Sequence, residues 1–227
     1  MWAVFKKELK SYFLSPIGYV VVGVLLFVCT VFFYLTTISS SSIDLGALYF
    51  YTAVYGLMIA VPILTMRTFS EERKSGTEQL ILTSPVSMVG VVLGKFFAAM
   101  SVILVTLLIS FIYFGIMSYF GNPNIIVLLV IMLGFLLVSG AAIAFGMFAS
   151  SITENQVIAG IITIAFLIMS LFIPDLGDEF QMISIMDFYQ KFPMGVISLT
   201  EVVGAVSFIL MFIAFTIIVM QRRKLVK

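Results

Sequence analysis

The sequence predicts an all-α membrane protein: six transmembrane helices, an N-terminal interfacial helix, and both termini in the cytoplasm. Three observations predict it. Of 227 residues, 62% are hydrophobic and 10% charged, whereas a soluble domain carries about 25% charged residues. The apolar runs are continuous for about twenty residues, the length a helix needs to cross the hydrocarbon core. Barrel strands would instead alternate polar and apolar side chains. The third observation is charge placement. With sides numbered alternately from the N-terminus, Lys6, Lys7, Lys10, Arg67, Arg73, Lys74, Lys95, Arg222, Arg223, Lys224 and Lys227 share one side, and Lys191 alone lies opposite. Short loops rich in Lys and Arg stay inside.

Taken in order, residues 1–15 place Trp2, Phe5, Leu9, Tyr12 and Phe13 on one helical face, with Lys6, Lys7, Glu8 and Lys10 on the other. That pattern suits a helix lying at the headgroups. A secretory signal is not expected, because Pro16 follows the amphipathic piece and the next span lacks a small-residue cleavage site. Spans are expected at about 17–37, 45–66, 96–119, 125–149, 156–173 and 198–220. Ser39–Ser42 with Asp44 form the first turn, and Gly121-Asn122-Pro123-Asn124 closes the third span. Pro62 is expected to bend the second span. Thr153-x-x-Gln156 reads as a capping box for the fifth. Residues 175–197 are an acidic extracytoplasmic segment, with Asp175, Asp178, Glu179, Asp187 and Lys191 among aromatics.

Residues 67–95 break the apolar pattern. Arg67, Glu71, Glu72, Arg73, Lys74 and Glu78 crowd together here. Thr68-x-x-Glu71 reads as a capping box that starts a helix at Phe69. Glu71 and Glu72 then lie in its first turn, where the helix dipole favours anions. Gly76 is a C-terminal stop, and Thr77 can cap a second short turn through Glu78–Leu82. Ser84-Pro85 is a further start signal leading past Gly94-Lys95 into the third span. A solvated charged surface is the plainer alternative; the density of capping signals argues for short ordered helices.

Several chemistries are excluded. The sequence has no histidine and one cysteine, Cys29, so Ser–His and Cys–His catalysis and a cysteine-built zinc site drop out. Gly90-x-x-x-Gly94-Lys95-Phe96 has the wrong glycine spacing for a phosphate loop, and Phe follows Lys. The same glycines suit a close helix contact, as do Ser139, Gly140 and Gly146 in the fourth span. Glu201, near the outer end of the sixth span, reads either as a substrate or gate residue or as a carboxylate snorkelling to the interface. Asn155 and Gln156 either line a dimer axis or cap the fifth span.

At Glu71-Glu72-Arg73, Gly76-Thr77, Glu78, Leu80, Ser84-Pro85-Val86 and Gly94-Lys95, the chain resembles the ABC type-2 permease family. Phe69–Ala99 is similar to that family's cytoplasmic loop between spans two and three. The stretch Asp187-Phe188, Phe192, Gly195-Val196-Ile197 and Glu201 looks like the gliding-motility and copper-enzyme-maturation branch, except that Ser198 stands where an acid is expected. The resemblance implies a non-enzymatic permease subunit in the plasma membrane, paired in the family manner with a second permease copy or paralogue. It implies a cytoplasmic ATP-binding subunit, with ATP and Mg bound there and no cofactor on this chain, and no nucleic acid. Phe69, Glu71, Glu72, Arg73, Gly76, Thr77, Glu78 and Leu80 would be the ATPase-coupling element, with Ser84, Pro85, Gly94 and Lys95 as the lever into the third span. Transport by alternating access, as an exporter, is the expectation. A stand-alone secondary carrier or channel, or a non-transporting membrane scaffold, is the alternative.

Overall fold

The computed structural model describes residues 1–40, 42–79, 86–173 and 184–226. Helix α1 (Trp2–Leu14) leads into α2 (Pro16–Phe33), which a π turn extends over Tyr34–Ile38. The second span is α3 (Leu45–Tyr51) and α4 (Leu57–Thr65), joined through a π turn at Thr52–Gly56. A five-residue helix, α5 (Ser70–Lys74), follows. The remaining helices are α6 (Met88–Phe120), α7 (Ile125–Ile152), α8 (Gln156–Phe172) and α9 (Leu199–Val226), and the described residues contain no strand. By length and composition, Pro16–Ile38, Leu45–Lys74, Met88–Phe120, Ile125–Ile152 and Leu199–Arg223 can each cross a membrane. Helix α8, expected as the fifth of six full spans, is shorter: its 17 residues rise about 26 Å, against a core of about 30 Å.

The helix starts follow local chemistry. Pro16 occupies the first turn of α2, where its missing N–H costs nothing. Asp44, Ser87, Asn124 and Asn155 cap α3, α6, α7 and α8, each side-chain oxygen accepting a first-turn amide at 2.9–3.2 Å. Asn155 therefore replaces the expected Thr153–Gln156 capping box. Thr153 instead accepts the Asn155 amide at 3.1 Å. Pro62 does lie inside α4, while the π turn interrupts the same span a few residues earlier.

Helix α7 is the hub. It packs against α4, α6, α8 and α9, and nearly every residue from Val138 to Ser151 is buried. Small side chains allow this. A Cβ on Gly146 would strike Thr65 of α4, and one on Gly140 would meet Ile209 of α9 at 3.1 Å. Helix α2 buries a single stripe of Gly18, Val21, Leu25, Cys29 and Phe33, the three-to-four spacing of one helical face. Helix α1 packs along α6, where Gly90 and Gly94 let Met1 and Val4 approach.

Residues 184–197, expected beyond the spans, turn back into the bundle. Two 3-10 turns, Asp187–Tyr189 and Phe192–Met194, bury Phe188, Tyr189 and Phe192. The Ser184 hydroxyl donates to the Ser170 carbonyl at 2.8 Å, and the Ile185 amide donates to the Ser170 hydroxyl at 2.7 Å. Phe192 fills the space that a Cβ on Gly134 would occupy. Gly195 then reverses the chain at φ 75°, a left-handed conformation that glycine adopts without strain. Asp175, Asp178 and Glu179 lie outside the described residues. Truncating Phe192 to Ala empties a filled site and should cost about 3–5 kcal/mol, read as a lowered melting temperature in detergent micelles.

Candidate functional site

The 67–79 loop rests on the ends of four helices, and one ammonium group organises it. Lys95, in the second turn of α6, is 1% exposed. An ammonium has three N–H donors and needs three acceptors when buried. Lys95 Nζ finds Glu72 Oε1 at 2.8 Å, the Thr68 carbonyl at 2.9 Å and Glu8 Oε1 at 3.1 Å. The Phe69 ring lies 5.3 Å from the same nitrogen, within cation–π range. Lys7 Nζ lies 3.4 Å from both Glu8 and Glu72, so two lysines meet two glutamates and the cluster is neutral. Burial opposes the charge on Lys7, but Glu8 and Glu72 outweigh it and hold that ammonium above its ordinary range.

This geometry overturns two local readings. Glu8 does not lie on the solvent side of α1; it is buried with Tyr12, one turn along the same face. Thr68 does not cap α5 either. The N-cap position is Phe69, with no cap from its own side chain. The amides of Phe69 and Ser70 donate instead to the Ser150 hydroxyl, at 3.1 and 3.2 Å. The last turn of α7 thus supplies the cap.

The same end of α7 receives two arginines. The last carbonyls of any α-helix lack intrahelical donors and carry the negative end of its dipole. Arg73 donates to the Ile152 carbonyl at 3.1 Å and pairs with Glu154 at 2.7 Å. Arg223 of α9 donates to the Ser151 carbonyl and, at 3.1 Å, to Glu78. Thr77 closes back onto the Glu72 carbonyl at 3.3 Å, and Gly76 turns the chain at φ 74°.

The coupling residues expected from the sequence therefore divide. Phe69, Glu72, Arg73 and Glu78 point into the bundle and hold the loop. Glu71, Gly76 and Thr77 are exposed, together with Lys74 and Ser75. Gly94 faces α1 and Lys95 is the central cation. Leu80, Ser84 and Pro85 lie outside the described residues. Glu201, at the opposite end of the bundle, is 8% exposed and lies 3.6 Å from Lys191, so it turns toward the inserted 187–194 segment instead of reaching open solvent. Asn155 caps α8 at its exposed start, and Gln156 is that helix's first residue. Residues missed by sequence reasoning are Lys7, Glu8, Ser150, Glu154 and Arg223. The one available signal was the spacing of Glu8 to Tyr12, which puts a carboxylate on a packed face.

Lys95→Met alone leaves the Glu8 and Glu72 carboxylates facing each other with only the more exposed Lys7 between them and should cost about 3–5 kcal/mol. Adding Glu8→Gln and Glu72→Gln should recover part of that loss. Thermal unfolding of the three proteins in detergent checks it; equal melting temperatures for Lys95→Met and wild type would refute the cluster.

A family model described as ABC-2 family transporter protein matches residues 2–200. No curated protein matches the chain. The match covers α1, the loop on the end of α7 and every helix up to the start of α9. The chain belongs to the ABC-2 transporter family and is a multi-pass membrane permease of an ABC transporter.

Proposed function

We propose that this permease is an exporter subunit in the plasma membrane. A separate ATP-binding subunit drives it by docking on the loop at 71–77, and a second permease copy or paralogue completes the transmembrane pathway. The supporting observation is the division of the loop into an inward half that is hydrogen-bonded to four helices and an outward half, Glu71, Lys74, Ser75, Gly76 and Thr77, that is exposed. A force applied to the outward half meets no slack. Glu72 leads to α6 and α1, Arg73 to the α7–α8 link, and Glu78 to α9.

The clustering of Lys and Arg on this side supports a cytoplasmic location for the loop, the side on which an ATPase with its ATP and Mg would dock. ATP-driven closure of the ATPase pair pushes the loops and re-tilts the spans, exposing the pathway to each side in turn. Secondary carriers place ionisable residues in mid-membrane as ion relays. Here the buried lysine lies near a boundary: from Lys95 to Phe120, α6 rises roughly 38 Å, more than the ~30 Å hydrocarbon core. That supports ATP as the energy source.

The test is co-purification with an ATP-binding subunit and its turnover. Glu71→Arg together with Lys74→Glu reverses two exposed charges without touching the inward contacts. Turnover in the complex should fall at least tenfold while the melting temperature of the permease stays within error. Unchanged turnover, or solute flux driven by an ion gradient with no ATPase present, would sink the proposal. A stable complex with neither flux nor ATP hydrolysis would favour a scaffold.

A further inference from the structure

The contacts of α9 go beyond the docking loop. Its C-terminal end is locked to the loop by Arg223, one guanidinium that joins three elements: its own helix, Glu78 of the loop, and the Ser151 carbonyl of α7. Glu78 and Arg223 are largely removed from water, with side chains 11% and 23% exposed. A planar fork binding two acceptors fixes direction as well as distance. The neighbouring Arg222 is exposed and makes no ion pair among the described residues, so charge at this helix end does not by itself create the lock.

The other end of α9 is locked as well. Glu201 pairs with Lys191 of the inserted segment, and the Phe188 ring occupies the space beside Gly204 and stacks edge-on against Phe208 at 6.1 Å. Glu201 and Arg223 are 22 positions apart, which at 100° per residue sets them roughly 40° apart around the helix. One face of a single rod thus carries an acidic lock at one end and a basic lock at the other, about 33 Å away. The family match stops at residue 200, so Arg223 lies outside the matched part of the chain.

We propose that Arg223 is a positioning residue that makes α9 a push-rod between the docking loop and the inserted 187–194 segment. Displacement of Glu78 moves Arg223, α9 moves as a rigid body along α7, and the Lys191–Glu201 end moves with it. This runs in parallel with the Lys95 connection to α6 and α1. It rests on the proposed docking of an ATP-binding subunit, and two measurements separate the two ideas.

The first needs no ATPase. Amide exchange of residues 70–79 is followed by mass spectrometry on the full chain in lipid nanodiscs. Arg223→Gln removes a charge-assisted hydrogen bond, and local opening should rise about 10- to 100-fold. Arg222→Gln should leave exchange unchanged, and Arg223→Lys, which keeps a cation that can donate to Glu78 and to the Ser151 carbonyl, should retain most of the protection. Exchange in Arg223→Gln equal to wild type, or equal effects of the two arginine variants, would overturn the lock.

The second reads transmission. Cys29→Ala frees the chain of its native thiol, and spin labels are placed on Tyr119→Cys and Met194→Cys, both highly exposed. In the complex with the ATP-binding subunit, ATP with vanadate should shift the distance between the labels. Arg223→Gln should abolish the shift and Arg223→Lys should retain it. A shift that survives Arg223→Gln refutes the push-rod. A wild-type complex with no nucleotide response sinks the proposed function and the transmission with it, while the exchange measurement still decides the lock.

Discussion

Lys95 is the contact on which the loop depends. Removing an ammonium from water is costly unless every donor is satisfied and the charge is balanced. Both conditions hold: three acceptors lie within 3.1 Å, and Lys7, Glu8 and Glu72 complete a neutral quartet. The acceptors come from α1, from the turn before α5, and from α5 itself. Satisfying one cation therefore fixes three chain segments relative to α6. Helix α1 cannot lift from the bundle, nor can α5 rotate, without leaving a buried charge unpaired.

The end of α7 plays the complementary role. A helix ending inside a protein presents carbonyls that need donors. Here Arg73 and Arg223 supply them, and Ser150 in the same turn caps α5 in return. The exchange is reciprocal: α7 satisfies the amides of the loop, and the loop and α9 satisfy the carbonyls of α7. A short charged helix that would be unstable alone in water is held by its two ends. Rigidity at this point suits the proposed role of the loop in transmitting force.

At the far end of the bundle the inserted segment is held by different means. Aromatic packing around Tyr189 and Phe192 dominates, with a few hydrogen bonds to Ser170 and one ion pair to Glu201. One end of the molecule is thus built from ion pairs and hydrogen bonds and the other from packed rings.

The sequence by itself determined the class of protein, the helix content, and the clustering of charge in one loop, because hydropathy and length are local properties that the bilayer reads directly. Gly76 as the turn after α5 and Asp44 at the start of α3 were legible for the same reason, since each acts on its own neighbours. The division of the loop into inward and outward residues was not. Glu71 and Glu72 are adjacent and chemically alike, yet one is exposed and the other binds Lys95. Thr68 carried a capping pattern that was pre-empted by Ser150, 81 positions beyond the Phe69 amide it accepts. Arg222 and Arg223 looked equivalent, and only one reaches Glu78. Such choices depend on which helix ends come together in space, and a donor or acceptor brought close by packing displaces a weaker local partner. The tertiary structure decided them.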